Sequence, residues 1–219
     1  MAAVSGTGIS LNSDFYLRNF YASNRDASSS SKRKNLGKNT LSQADATALH
    51  RAAKKLRTFN YEDDSSDGAN IYGSVSAYIE TYNNALNSAK NSSDASLERY
   101  SKYLKNLSTK YAKEFKDIGV TIEKDGTLTA NENLLKSADL SDVKKLFSKD
   151  SEYLNQTTRY AKRMITKADN ALFSEQSLAN KEAAEKAAAT NSIIDVLAVA
   201  SDTDALLDDG VGTNVNISV

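Results

Sequence analysis

Residues able to do chemistry are few in this chain, and they are scattered. The run Asp63-Asp64-Ser65-Ser66-Asp67-Gly68 invites a calcium reading, because oxygen-bearing side chains at alternate positions before a glycine can converge on one cation. Aligning Asp63, Ser65, Asp67 and Gly68 to such a loop puts Ser74 where a bidentate glutamate must close the shell. It also puts Asn70 where the loop needs an apolar anchor, so the stretch reads as a solvated interhelical loop. A second acidic run, "DTDALLDDG" near the C-terminus, has a spacing that fits no ligand loop. His50 is the only histidine and cysteine is absent, so no partner exists for the usual catalytic or zinc sets. Glu62 and Asp63 are neighbours in a loop, without acid–base logic. No Gly-x-Ser-x-Gly, phosphate-binding loop or glycine-rich dinucleotide turn occurs. The expectation is a non-enzymatic chain with no catalytic residue, no metal ligand and no cofactor.

Charge and length narrow the class further. Lysine and arginine total 28, matched by 28 aspartates and glutamates, which leaves no long-range attraction for nucleic acid or an anionic membrane. The basic triplet Lys32-Arg33-Lys34 reads as solvated linker in this neutral background. No run of about 20 apolar residues exists to span a bilayer. The start, "MAAVSGTGISLN", lacks the basic and apolar regions of a Sec signal peptide. Proline is absent, which suits long uninterrupted helices.

The elements that would hold these residues are mainly helical. "SDFYLRNFYA" predicts a short amphipathic helix from Ser13, followed by a polar, Ser-rich, mobile linker, so that residues 1–40 lie outside the main fold. Leu49, Ala52, Leu56 and Phe59 step by three and four along a helix with Ser42 as its N-cap. Ile71, Val75, Tyr78, Ile79, Tyr82, Leu86 and Ala89 form the stripe of a second helix. Leu97, Tyr100, Leu104, Leu107, Tyr111, Phe115 and Ile118 form that of a third, capped by Ser93 or Asp94 and ended by Gly119. Its step pattern fits straight helices in a compact bundle better than a long two-stranded rod. After two short helices capped by Asn131 and Ser141, a long helix runs through Leu154, Thr157, Met164, Ala168 and Leu172 and continues into an Ala-rich stretch. The fold class is therefore mainly α: a bundle of long amphipathic helices over residues 41–200, with a flexible tail from 201 to 219. Seven tyrosines, at 78, 82, 100, 103, 111, 153 and 160, fall on these helices and mostly on their apolar stripes, so they read as core-edge residues.

One stretch departs from the helical pattern. In "VTIEKDGTLTANENLL", Val120, Ile122 and Leu128 alternate as on one face of a small hairpin at about residues 120–129. Asp125 and Gly126 supply its turn, with Gly126 free to take positive φ. The hairpin is expected to cap the end of the bundle and reverse the chain.

Two blocks of residues carry a resemblance. "VSAYIETYNNAL" (Val75 to Leu86) and "IGVTIEKDGTLTANENLLKSADLSDVKKLF" (Ile118 to Phe147) resemble the C-terminal module of the bacterial flagellar filament-cap family, among the hook-associated proteins. The likeness extends over residues 71–173. It implies a non-enzymatic, filament-cap-like component of the flagellar axial structure, built on helices that associate. It further implies secretion by the type III route without a cleaved signal, and protein partners that are axial proteins or other copies of the chain. The family's large β-rich insertion has no room in 219 residues. A cytosolic helical adaptor sharing only the helix–hairpin–helix module is therefore the alternative.

Ile193, Ile194, Val196, Leu197 and Val199 are the densest aliphatic group in the chain. They form a band wider than a single bundle contact needs, and they read either as an assembly surface or as a helix folded back on the core.

Overall fold

The computed structural model describes residues 13–61 and 68–205, and side-chain surroundings within residues 13–61 and 71–194. The chain divides into two compact units, residues 1–172 and 173–219. The first unit is a mainly helical bundle with a small antiparallel hairpin.

In order, the elements are α1 (Ser13–Phe20), a 3₁₀ turn (Arg25–Ser28), α2 (Ser30–Arg33), α3 (Lys38–Arg57), α4 (Gly68–Lys90), α5 (Ala95–Lys110) and α6 (Ala112–Asp117). Strands β1 (Val120–Ile122) and β2 (Leu128–Ala130) follow, then α7 (Glu132–Lys136), α8 (Leu140–Phe147) and α9 (Glu152–Ala205). α3 and α4 are antiparallel, since Ser42 near the start of α3 donates from Oγ to the Ser88 carbonyl near the end of α4 at 3.1 Å. α5 packs along α4, with Ser108 on Tyr82, and Tyr153 at the start of α9 meets both helices through Ser108 and Tyr78.

The predicted stripes form the core. Ile71, Val75, Tyr78, Ile79, Tyr82, Leu86 and Ala89 of α4 are all buried, as are Leu97, Leu104, Phe115 and Ile118. So are Leu154, Thr157, Met164 and Ala168 of α9. Burial of this kind contributes about 1.5–3 kcal/mol for each large apolar side chain, and the helical spacing is what gathers it on one face of each helix.

Four expectations need correction. The Ser-rich stretch after α1, read as a linker, forms the 3₁₀ turn and α2, and Ala27 is fully buried. It folds because Arg33 reaches a carboxylate inside the bundle, an interaction its polar composition does not reveal. The helix predicted from Ser42 begins at Lys38, with Gly37 at its N-cap, and Ser42 is itself buried. The single helix expected from Leu97 to Ile118 breaks at Tyr111, which lets Phe115 turn onto Tyr153 at 5.0 Å between ring centroids. Lastly, Asp139 rather than Ser141 caps α8, accepting a hydrogen bond from the Ser141 N–H at 2.7 Å. Asp94 and Asn131 cap α5 and α7 as expected.

The hairpin packs against α4 through Asn83 and against α5 through Lys105. Its register pairs Val120 with Ala130 and Ile122 with Leu128. Val120 and Leu128 are buried on its inner side. Gly119 has φ +74°, and a Cβ there would overlap Leu134, so this glycine serves both the left-handed exit from α6 and the close approach of α7.

Candidate functional site

The hairpin tip is set by a tight turn in which the Gly126 N–H donates to the Glu123 carbonyl at 2.9 Å. Gly126 then takes φ +95°, the left-handed residue of a bulged three-residue loop. Asp125 Oδ1 accepts from the Thr127 N–H at 2.9 Å and the Thr127 hydroxyl at 2.7 Å. Those hydrogen bonds hold its carboxyl below the usual carboxylate range. The tip packs on α5, where a Cβ on Gly126 would meet Lys105 Cγ at 2.7 Å, and Lys105 Nζ donates to the Lys124 carbonyl at 2.7 Å. Asp125 and Gly126 thus stand where the alternation places them, as parts of a turn.

Asn83 fastens the hairpin to α4. Its Nδ2 donates to the Leu128 carbonyl and its Oδ1 accepts from the Leu128 N–H, each at 2.8 Å. The two sequence blocks behind the flagellar resemblance are therefore in direct contact. Nothing in helical periodicity singles out Asn83, a half-buried polar residue beside an apolar stripe.

A second polar centre lies where α2, α3 and α4 meet. Asp45 is fully buried, and its carboxylate accepts from Arg33 Nη1 at 2.7 Å, Arg33 Nη2 at 2.8 Å and the Tyr21 hydroxyl at 2.7 Å. Asn84 Nδ2 donates to the Tyr21 oxygen at 3.1 Å, and Arg33 Nη1 also reaches the Ala27 carbonyl. Burial and the adjacent Asp45 carboxylate raise the Tyr21 phenol well above its ordinary value. This bidentate pair anchors the N-terminal segment to the bundle.

A third centre is made of hydroxyls. Tyr78 and Tyr153 share a hydrogen bond at 2.8 Å, and Ser108 Oγ donates to the Tyr82 oxygen at 2.8 Å while lying 3.4 Å from that of Tyr153. Burial pushes all three phenols above the ordinary tyrosine value. Groups so shifted stay protonated at neutral pH and act as hydrogen-bond donors and acceptors within the core, not as bases. These tyrosines lie in the core itself, whereas Tyr100, Tyr111 and Tyr160 are half-buried and Tyr103 is exposed, so the core-edge reading holds for only part of the set.

His50 is half-buried on α3, and its pKa is lowered by burial and by the cations Lys54, Lys162, Arg51 and Arg57. Asp63, Ser65 and Asp67 lie outside the described residues. Among the described residues no group of three or more acidic, histidine or cysteine side chains could hold a metal ion. No described helix is long and apolar enough to cross a membrane.

The second unit has a different character. Every residue from Phe173 to Ile194 on α9 is exposed, including Phe173 (75%), Leu178 (62%), Ile193 (61%) and Ile194 (57%). Val196, Leu197 and Val199 continue the helix, but their side chains lie outside the described surroundings. Lys181 and Glu185 form an i,i+4 pair at 3.8 Å, which supports the helix from its own surface.

Compared with protein-family models, curated proteins and solved structures, the chain shows no match.

Proposed function

We propose that this chain is a non-enzymatic structural and interaction protein that works through helix packing and assembly, akin to a filament-cap-like component of the flagellar axial structure. The observation that carries the reading is the exposed run of α9 from Phe173 to Ile194 with its large apolar side chains. The adjacent exposed pair Ile193 and Ile194, which opens the densest aliphatic stretch of the sequence, is apolar surface of the kind another protein surface covers. The junction between Asn83 and Leu128 adds support, because it makes one physical module of the two blocks that resemble the filament-cap family. The partners are axial proteins or further copies of the chain, and the site of action is the extracellular flagellum.

Light scattering over a concentration series tests the assembly. The full chain is expected to gain mass with concentration, and Ile193→Gln with Ile194→Gln to weaken that gain while far-ultraviolet circular dichroism stays constant. A chain that remains monomeric at every concentration, and binds no axial protein, overturns the reading. Comparing sheared flagella with cytosol in the native cell tests location. Finding the protein only in the cytosol would replace the flagellar part with a cytosolic helical adaptor.

A further inference from the structure

The first unit carries a part-exposed aromatic surface at the edge of the core, where Tyr100 and Tyr160 pack against the buried cluster and Tyr103 reaches solvent. α5 and the start of α9 run antiparallel, since Tyr111 meets Tyr153 and, further along, Tyr103 meets Tyr160, with ring centroids 5.5 and 5.7 Å apart. Tyr100 completes a cluster, 5.7 Å from Tyr103 and 6.3 Å from Tyr160. Tyr103 is 41% exposed. Arg99 stands one turn before Tyr103 and Arg163 one turn after Tyr160, so the antiparallel arrangement puts both at the same end of the cluster. Both arginines are exposed. The neighbouring lysines Lys102 and Lys110 are neutralised by Glu98 and Glu152, whereas neither arginine takes part in an ion pair among the described residues.

The second unit carries the opposite pattern. Lys186 is the last cationic residue of the chain. Beyond it, α9 contains Asp195, Asp202 and Asp204 among aliphatic residues, and Ile193 and Ile194 are exposed just ahead of them.

We propose that the tyrosine–arginine face of one copy receives the apolar, acidic end of α9 from a second copy. This rests on the reading of the chain as an assembling protein and names the surface that assembly uses. Tyrosine and arginine are the residue types that most often carry interface energy, and a guanidinium fork fits a carboxylate in two-point contact. Opposite charge on the two surfaces sets register and speeds encounter. The surfaces differ, so the contact is head-to-tail, and such contacts propagate into filaments or close into rings.

A charge-reversal exchange tests the pairing by light scattering on the full chain. Arg99→Glu with Arg163→Glu makes the face acidic, and Asp195→Lys with Asp202→Lys and Asp204→Lys makes the helix end basic. Each variant alone is expected to associate at least about tenfold more weakly than the native chain. Their equimolar mixture is expected to recover association, because each then offers what the other lacks. Circular dichroism monitors folding. Should a reversed variant unfold, Arg99→Gln with Arg163→Gln takes its place, with weaker association as the expected result and unchanged association as the overturning one. If the native chain assembles but the reversals have no effect, or the mixture does not recover, the docking pair is wrong while the assembly reading stands. A native chain that stays monomeric sinks both.

Discussion

The side-chain amide of Asn83 meets the main chain of Leu128 as a neighbouring strand would, donating to its carbonyl and accepting from its N–H at 2.8 Å each. A two-stranded hairpin is marginal by itself in water. Here a helix supplies the missing strand's hydrogen bonds at one residue, and Leu128 is buried beneath them. Asn83→Ala would leave both Leu128 groups unpaired in a poorly hydrated place. We expect a loss of about 1–3 kcal/mol, read as a lower midpoint in urea with an unchanged slope. An unaltered midpoint would mean water replaces the amide freely.

Gly126 has a second constraint besides its φ of +95°, because Lys105 occupies the space its Cβ would need. Gly126→Val should lower the melting temperature, with a cost of about 1–3 kcal/mol from the backbone alone. Shortening Lys105 to alanine in the same chain removes its Cγ and Cδ but leaves its Cβ at 2.9 Å, so it should recover only part of the steric share. Full recovery would show that the backbone conformation is not the constraint.

Arg33 and Asp45 offer a sharper test. Arg33→Met strands a fully buried carboxylate, for which the expected cost is about 3–5 kcal/mol. Adding Asp45→Asn removes the charge and should return part of that stability. A double variant no better than Arg33→Met would show that lost packing, not an unpaired charge, drives the effect.

The buried phenols fix the response to base. Burial raises the pKa of Tyr78, Tyr82 and Tyr153 in the folded state above the ordinary value of 10.0. A raised folded pKa means the native state holds its protons more tightly. The stabilisation is complete below the unfolded value and declines as pH rises through the folded one. Stability should therefore fall above pH of about 10, and tyrosinate absorbance of these residues should grow together with loss of helix. Ionisation of all the phenols at ordinary pH in a chain that keeps its circular dichroism would contradict this.

Calcium and chelators are expected to leave thermal unfolding unchanged, because Ser74 stands where a closing glutamate would be needed beyond the Asp63–Gly68 run. A reproducible rise in melting temperature with calcium would reverse that reading, since a ligand bound only by the native state must stabilise it.

The stripes of α4 and α9 are readable from spacing because burial itself imposes the helical period, and Ile71 to Ala89 sits in the core at each marked position. The turn at Asp125 and Gly126 is readable because few residue pairs suit it. The break at Tyr111 is not, since its flanks favour helix and the ring that Tyr111 and Phe115 both meet, Tyr153, belongs to another element. The folding of residues 25–36 is equally hidden, because it depends on Arg33 meeting Asp45 across 12 positions while the local composition is that of a linker. The exposure of residues 173–194 escapes notice because alanine suits a helix interior and a helix surface alike.

The hydroxyls of Tyr78, Tyr82, Tyr153 and Ser108 act on alignment more than on cohesion. Aliphatic side chains are forgiving, and α4 could slide one turn along its neighbours and still set carbon against carbon. A slide of about 5.4 Å would carry Tyr78 away from Tyr153 and Tyr82 away from Ser108, leaving phenols against hydrocarbon without partners. The polar atoms thereby single out one register among several that hydrophobic contact alone would tolerate. Tyr78→Phe together with Tyr82→Phe and Tyr153→Phe would keep the oil and discard the key, giving a bundle that still collapses but no longer distinguishes its own alignment from the neighbouring one.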